Sequence, residues 1–338
     1  MFLVKQLEAA IILSLVFLAC GCGGSNEPSS GDKKGGPFLR CAPPEDDGVR
    51  ESFKLGPLVV KRDGYELEIK GIDRGVVVLG VLAGLNESND ETKKNVRFFL
   101  ERFKAAEVQA ILVAGGIGLK EEDVRGNLES LSAAPVPVLI SPGAQESLDV
   151  FRRQIAAARK RSPQLVDMTL ARRARIGQIS IVSLPGYHNS YYLEARERGC
   201  SYEAGDLDDV VALASEDTVP FLLSASPPRG KSPRSVDRGR GGVNIGDPAL
   251  ADRLSKAGIG FGVFGHVYEA GGNATLSDGE TPVVQGSWQE SLFLQAGSAD
   301  AVPVSLVDGG LSVGMAHIVE FSGPRGSYRT VAASRGAR

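Results

Sequence analysis

The chain has three histidines, His188, His266 and His317, and that number limits the metal and acid–base chemistry it can host. A site that clamps two divalent metals draws oxygen from Asp and Asn and nitrogen from several His. Glu146, His188 and His266 sit at or near the ends of strand-like runs and are the residual catalytic or ligand candidates. The plainer reading of a lone histidine at a strand end is a hydrogen-bonded structural residue, and that of Tyr187-His188-Asn189 an ordinary polar loop. Arg229, Lys231, Arg234, Arg238 and Arg240 crowd one Gly/Ser/Pro-rich loop. Guanidinium groups there could hold a small anion without a metal; the plainer reading is a solvated loop. Asp206, Asp208 and Asp209 form an acidic cluster without the spacing of a calcium loop. No phosphate-cradling Gly-Lys-Ser/Thr loop, no Ser/His/Asp order and no zinc-spaced cysteine pair occurs.

Behind these residues stand five apolar runs, each ending in a turn: 76–84, 110–116, 137–146, 222–228 and 262–268. Val76 to Val81 is continuous and β-branched, as expected of a strand covered on both faces. Leu58 to Lys70 alternates around Asp63-Gly64 and reads as a hairpin. Ser88-Asn89-Asp90-Glu91 has the form of a capping box. The helix that follows sets Val96, Phe99, Leu100 and Phe103 on one stripe. A helix from about Lys120 to Leu131 and a strand from Val136 to Ile140 complete a strand–helix–strand alternation, which demands a largely parallel sheet. Basic residues between 150 and 176 read as a solvated helix face. Asp247-Pro248 opens a helix that Gly258 closes.

Of 338 residues, 42 are glycine, a composition suited to many tight turns. A net charge of −3 supplies no field toward nucleic acid, and no nucleic-acid partner is expected. Ala9 to Ala19 is an apolar run too short to span a bilayer, and it precedes Leu18-Ala19-Cys20-Gly21-Cys22. Residues 1–19 therefore read as a lipoprotein signal peptide with Cys20 as the lipidated residue; Cys22, or a plain secretory signal, stays open. Two or more acyl chains would anchor the protein at a bacterial envelope membrane, facing periplasm or exterior. Residues 20–49 read as a flexible tether, 50–324 as the folded domain and 325–338 as a disordered tail. The other two cysteines, Cys41 and Cys200, read either as a disulfide or as two buried thiols.

The order of the five runs, with Ser226-Pro227-Pro228 and Gly265-His266 intact, resembles the calcineurin-like metallophosphoesterase family over roughly positions 74–300. The resemblance implies an α/β fold, an αββα sandwich of two mixed sheets flanked by helices, with a two-metal site at the strand ends. The family's Asp-x-His falls on Val81 and Ala83, and the aspartate of its Gly-Asp on Gly116. Its Asn-His falls on Ala144 and Gln145, the histidine before Pro-Pro on Ala225, and the second histidine of Gly-His-x-His on Tyr268. Only His266 keeps its place among these eight positions. No cofactor is expected, and the favoured reading is an inactive pseudoenzyme that acts as a binding or scaffold module for an envelope protein or a small anionic ligand. The alternative is a reduced site in which Glu146, His266 and His188 hold a single Mn, Fe or Zn ion for ester hydrolysis.

Overall fold

The computed structural model describes residues 39–41, 46–71, 75–215 and 219–334. Its elements begin with β1 (Leu39–Arg40), β2 (Arg50–Leu55), β3 (Leu58–Asp63), β4 (Glu66–Lys70), β5 (Val76–Leu82) and α1 (Asp90–Ala105). There follow β6 (Ala110–Ala114), α2 (Glu121–Leu131), β7 (Val138–Ser141), α3 (Leu148–Arg159), β8 (Leu165–Asp167), β9 (Arg173–Ile176) and β10 (Ile179–Leu184). Next come β11 (Cys200–Ser201), α4 (Ala204–Ala214), β12 (Val219–Ser224), α5 (Pro248–Ala257), β13 (Phe261–Phe264), β14 (Ala274–Thr275) and β15 (Leu292–Gln295). The last are β16 (Val304–Ser305), β17 (Leu311–Ser312), β18 (Met315–Ser322) and β19 (Arg325–Ala332).

Among the described residues, one sheet runs β14-β15-β13-β12-β10-β9-β4-β3-β2 and the other β19-β18-β5-β6-β7-β8. Strands β5 to β8 are parallel, as are β10, β12, β13 and β15, because helices return the chain between most of them. Side chains alternate across β5. Val77, Leu79, Val81 and Ala83 enter the core between the sheets, where they meet Ile181, Leu223 and Val263. Leu82 faces the other way, under Phe99 of α1, Leu128 of α2 and Phe151 of α3. The outer face of the larger sheet packs Leu184, Leu222 and Phe264 against Leu207 of α4 and Leu250 of α5. The layers are helices, sheet, sheet, helices. This is the expected αββα sandwich of two mixed sheets, and it sets the carboxyl ends of β5, β6, β7, β10, β12 and β13 around one rim.

Several expectations are corrected. The N-cap of α1 is Asn89, whose side chain accepts from the Thr92 N–H at 2.9 Å, not Ser88. Residues 325–338 are not a disordered tail throughout, because β19 pairs along all of β18. Its sequence, RGSYRTVA, is polar at an edge and has no apolar run to mark it. The tether does not stay free through residue 49. β1 pairs with β11, and Cys41 is bonded to Cys200 with Cα atoms 5.1 Å apart. Asp46 and Asp47 also pair with Arg50 and Arg62. Residues 1–38, with the expected signal peptide and Cys20, lie outside the described residues. Asp206, Asp208 and Asp209 belong to α4 rather than a loop, and Asp206 closes that helix's capping box. Arg172 and Arg173 are buried rather than on a solvated helix face: Arg172 binds Ser183, and Arg173 binds Glu66 and the Leu213 carbonyl.

Candidate functional site

The turns after β5, β6 and β7 are joined by their own backbone. The Gly84 N–H donates to Gly115 O at 3.0 Å, that of Leu85 to Gly116 O at 2.6 Å, and that of Gly115 to Ser141 O at 2.9 Å. Backbone bonds also cross to the other elements of the rim. The Gly186 N–H donates to Pro142 O at 2.9 Å, and the Ala299 N–H to Ala83 O at 2.8 Å. The turns therefore converge as the two-metal arrangement would need, but their side chains fill the space.

Ala225, at the degenerate histidine position, packs against glycines: a Cβ on Gly143 would lie 2.6 Å from the Ala225 Cβ, and one on Gly115 2.8 Å from it. Gly116, where a bridging carboxylate would stand, has φ +73°, and a Cβ there would lie 2.6 Å from the Gly84 Cα and 2.8 Å from the Tyr268 Oη. Tyr268 lies across the same two glycines. Its hydroxyl donates to Asn86 Oδ1 at 3.0 Å and is also bonded by the Gln145 side chain. Asn86 in turn donates to Asp300 Oδ2 at 2.7 Å. Burial drives the Tyr268 hydroxyl well above its ordinary pKa, and the charges of Glu146 and Asp300 add to the shift. Asn86 and Asp300 carry no family signature in the sequence. The backbone signal at Asn86 is φ 39°, one of four positive values among the described non-glycine residues; His266, with φ 66°, is another.

Glu146 is buried. Its Oε1 accepts from the Ile117 N–H, and its Oε2 from the Gly143 N–H at 2.9 Å. Burial raises its pKa, and these backbone donors only partly oppose the shift. The carboxylate ties the ends of β6 and β7 together, so its lone pairs are occupied. The His266 ring lies 4.4 Å from the Tyr187 ring, 5.7 Å from Tyr192 and 6.4 Å from Tyr268, centre to centre. Burial first, and the neighbouring His188 second, hold its pKa down to about 4.

His188 follows β10 and sits half-buried. Its Nδ1 lies 2.7 Å from Ser226 Oγ, which lies 3.0 Å from Tyr202 Oη, which lies 2.8 Å from Asp247 Oδ2. Burial lowers the His188 pKa; Asp247 opposes the shift, and Arg229 adds to it. In the sequence Ser226 stands only as the residue before Pro227-Pro228, Tyr202 carries no signal and Asp247 reads as a helix cap. It does cap α5, through Oδ1 and the Ala249 N–H at 2.8 Å.

The basic loop folds on itself. The Arg229 Nε donates to Gly246 O at 2.7 Å and lies 3.9 Å from buried Asp237. Lys231 faces Glu280 at 3.2 Å, and Arg240 faces Glu269 at 3.5 Å. Arg238 donates to Asn244 at 2.9 Å, and Arg234 is exposed. His317 is not at the rim; it is buried in β18, between Thr330 and the Ala296 carbonyl.

A two-metal cofactor does not fit these residues. Among the described residues, no three His, Cys, Asp or Glu side chains converge as a metal would require, and the Glu146, His266 and His188 trio does not assemble. No protein-family model and no curated protein matches the chain. One solved crystal structure aligns with it at a TM-score of 0.55 and 11% identity, covering 77% of this chain and 100% of the other. TT1561 of Thermus thermophilus aligns at 0.47 and 12%, covering 76% and 99%. A dimetal phosphatase from Danio rerio aligns at 0.47 and 11%, covering 76% and 99%. The fold is an αββα sandwich of two mixed sheets flanked by helices. At these identities the likeness concerns the fold alone, and the chemistry rests on the rim described above.

Proposed function

We propose that this chain is a lipid-anchored envelope protein that keeps the sandwich, has lost two-metal phosphoester hydrolysis and serves as a binding module. The observation that carries the reading is the closed rim. Gly116 has no room for a carboxylate, and Tyr268 and Ala225 occupy the space that metal ligands would surround. Loss of ligands alone would leave an open cleft. Here the replacements pack against one another, and Glu146 is spent on backbone N–H groups.

The test is turnover of a generic phosphodiester by the purified chain with Mn, Fe or Zn supplied in turn. The expected rate equals the buffer rate with every metal. Metal-dependent turnover abolished by His266→Ala would instead establish the reduced-site hydrolase. The anchoring part rests on the short apolar run before Cys20. Cys20→Ser is expected to move the protein from the membrane fraction to the soluble fraction without unfolding it. Retention of the Cys20→Ser, Cys22→Ser and double variants would refute lipid anchoring.

A further inference from the structure

The polar chain behind His188 fixes which ring nitrogen carries the proton. The Tyr202 hydroxyl has one hydrogen and two neighbours, Asp247 Oδ2 at 2.8 Å and Ser226 Oγ at 3.0 Å. A carboxylate is the stronger acceptor, so that hydrogen goes to Asp247. Ser226 then has one hydrogen to give, either to Tyr202 Oη or to His188 Nδ1. If it goes to His188, two oxygens of Ser226 and Tyr202 face each other at 3.0 Å with no hydrogen between them. Both groups are buried, so this would set two oxygen lone pairs against each other and forfeit one hydrogen bond. If it goes to Tyr202, the His188 Nδ1–H donates to Ser226, and all three contacts are hydrogen bonds. The second arrangement satisfies every group. It makes His188 a neutral Nδ1–H tautomer with a bare lone pair on Nε2, because the bond made by one nitrogen sets the state of the other.

Nε2 has no partner among the described residues. Beside it the Tyr187 ring lies 4.7 Å from the His188 ring, and the Tyr187 hydroxyl is buried without a hydrogen-bond partner. The aromatic surface continues outward. Tyr192 stands edge-on to Tyr187 at 5.8 Å, and Tyr191 edge-on to Tyr192 at 5.3 Å. Tyr191 is 85% exposed. The charged and titratable groups that act on His188 and its neighbours are Asp247, Asp237, Arg229 and His266. An anion would meet a lone pair and two carboxylates against the single guanidinium of Arg229. A cation would find Asp247 committed to Tyr202 and Ala249, and Asp237 to Asn244 and Gly246. What fits is a neutral group with a hydrogen to donate and an apolar face to lay on tyrosine rings.

We propose that His188 is a hydrogen-bond acceptor, held in one tautomer by the Ser226–Tyr202–Asp247 chain, for a hydroxyl of a saccharide whose apolar face stacks on the exposed Tyr191 ring. The proposal names the ligand class of the binding module and rests on that reading.

Two measurements on the full chain test it. The first is calorimetric titration with maltotetraose, cellotetraose and chitotetraose, with inorganic phosphate as a separate arm. At least one tetrasaccharide is expected to bind, and phosphate is not. Tyr191→Ala, at an exposed position where folding is not at stake, is expected to weaken the binding about fivefold to tenfold, the size of a lost ring contact. The second is ¹⁵N NMR of the His188 ring. The wild type is expected to show a protonated Nδ1. Tyr202→Phe is expected to move the proton to Nε2, since Ser226 then keeps only His188 as acceptor, and to weaken saccharide binding about fivefold or more. Binding by none of the three sugars, binding by phosphate alone, or an Nε2–H tautomer in the wild type would each overturn the proposal. None of these outcomes bears on metal loss, which is read separately by metal content and phosphodiester turnover.

Discussion

The turns after β5, β6 and β7 place Ala83, Gly116 and Ala144 at the rim, with one carboxylate, Glu146, consumed by backbone N–H groups. The turns after β10, β12 and β13 place His188, Ser226 and His266 there, linked to Tyr187, Tyr202 and Asp247. The first half is built on close backbone packing rather than polar side chains. The second presents polar groups and links His188, Ser226, Tyr202 and Asp247 in one directed chain, while the Tyr187 hydroxyl stays buried without a partner. Once ligands are lost, an empty polar cleft is unstable, because buried polar atoms need partners and voids cost contacts. The first half meets that demand with glycine, alanine and the Tyr268 ring, the second with hydrogen bonds.

The largest expected effect breaks the first half. Gly116→Asp puts a carboxylate at a position with φ +73° and a Cβ site 2.6 Å from the Gly84 Cα. Left-handed strain and overpacking together should cost about 3 kcal/mol or more in urea unfolding, without metal uptake. A neutral substitution would mean that the rim is open.

The next effect concerns acid. Burial holds the His266 and His317 pKa values down to about 4, below the ordinary histidine value. Between roughly pH 6.5 and 4 the unfolded chain binds more protons than the folded one, so stability falls as pH falls through that window. The loss is on the order of 3 kcal/mol per histidine. His266→Asn and His317→Gln should each flatten the pH dependence of the unfolding free energy in that window. Because His317 lies outside the rim, equal flattening by both variants would show that the effect is burial, not a property of the site.

The smallest effect sharpens the contrast. Tyr268→Phe removes the hydroxyl shared by Asn86 and Gln145 but keeps the ring over the glycines. A loss of about 1–3 kcal/mol in denaturant unfolding is expected. No loss would mean that the ring alone closes the first half.

The framework of the sandwich was legible because its central strands are apolar on both faces, as in Val76 to Leu82, and its helices carry clear stripes. The edge strands β2 and β19 carry no such signal, and β9, inside the larger sheet, is hidden in a run of arginines. In β2 half-buried and exposed residues alternate, and β19 is rich in Arg, Ser, Thr and Gly. Neither has a run that stands out without its partner. The residue types at the rim were legible too, since Val81, Ala83, Gly116, Ala144, Gln145, Ala225 and Tyr268 stand at fixed places in the five runs. What closes the rim was not, because Tyr268 on Gly84 and Gly116, or Asn86 with Asp300, are meetings of residues distant in sequence. The same holds for His188, Ser226, Tyr202 and Asp247, which arrive from β10, β12, β11 and α5 and share no local pattern. The five cations of the loop share one short stretch of sequence, but the fold commits most of them to nearby acids or carbonyls rather than to one focus.

The most direct test of the closed rim is metal stoichiometry. The purified chain would be dialysed against Mn, Fe and Zn in turn, freed of excess metal and read by mass spectrometry. The expected result is no stoichiometric metal in any of the three. Two equivalents retained per chain, lost on His266→Ala, would contradict the account.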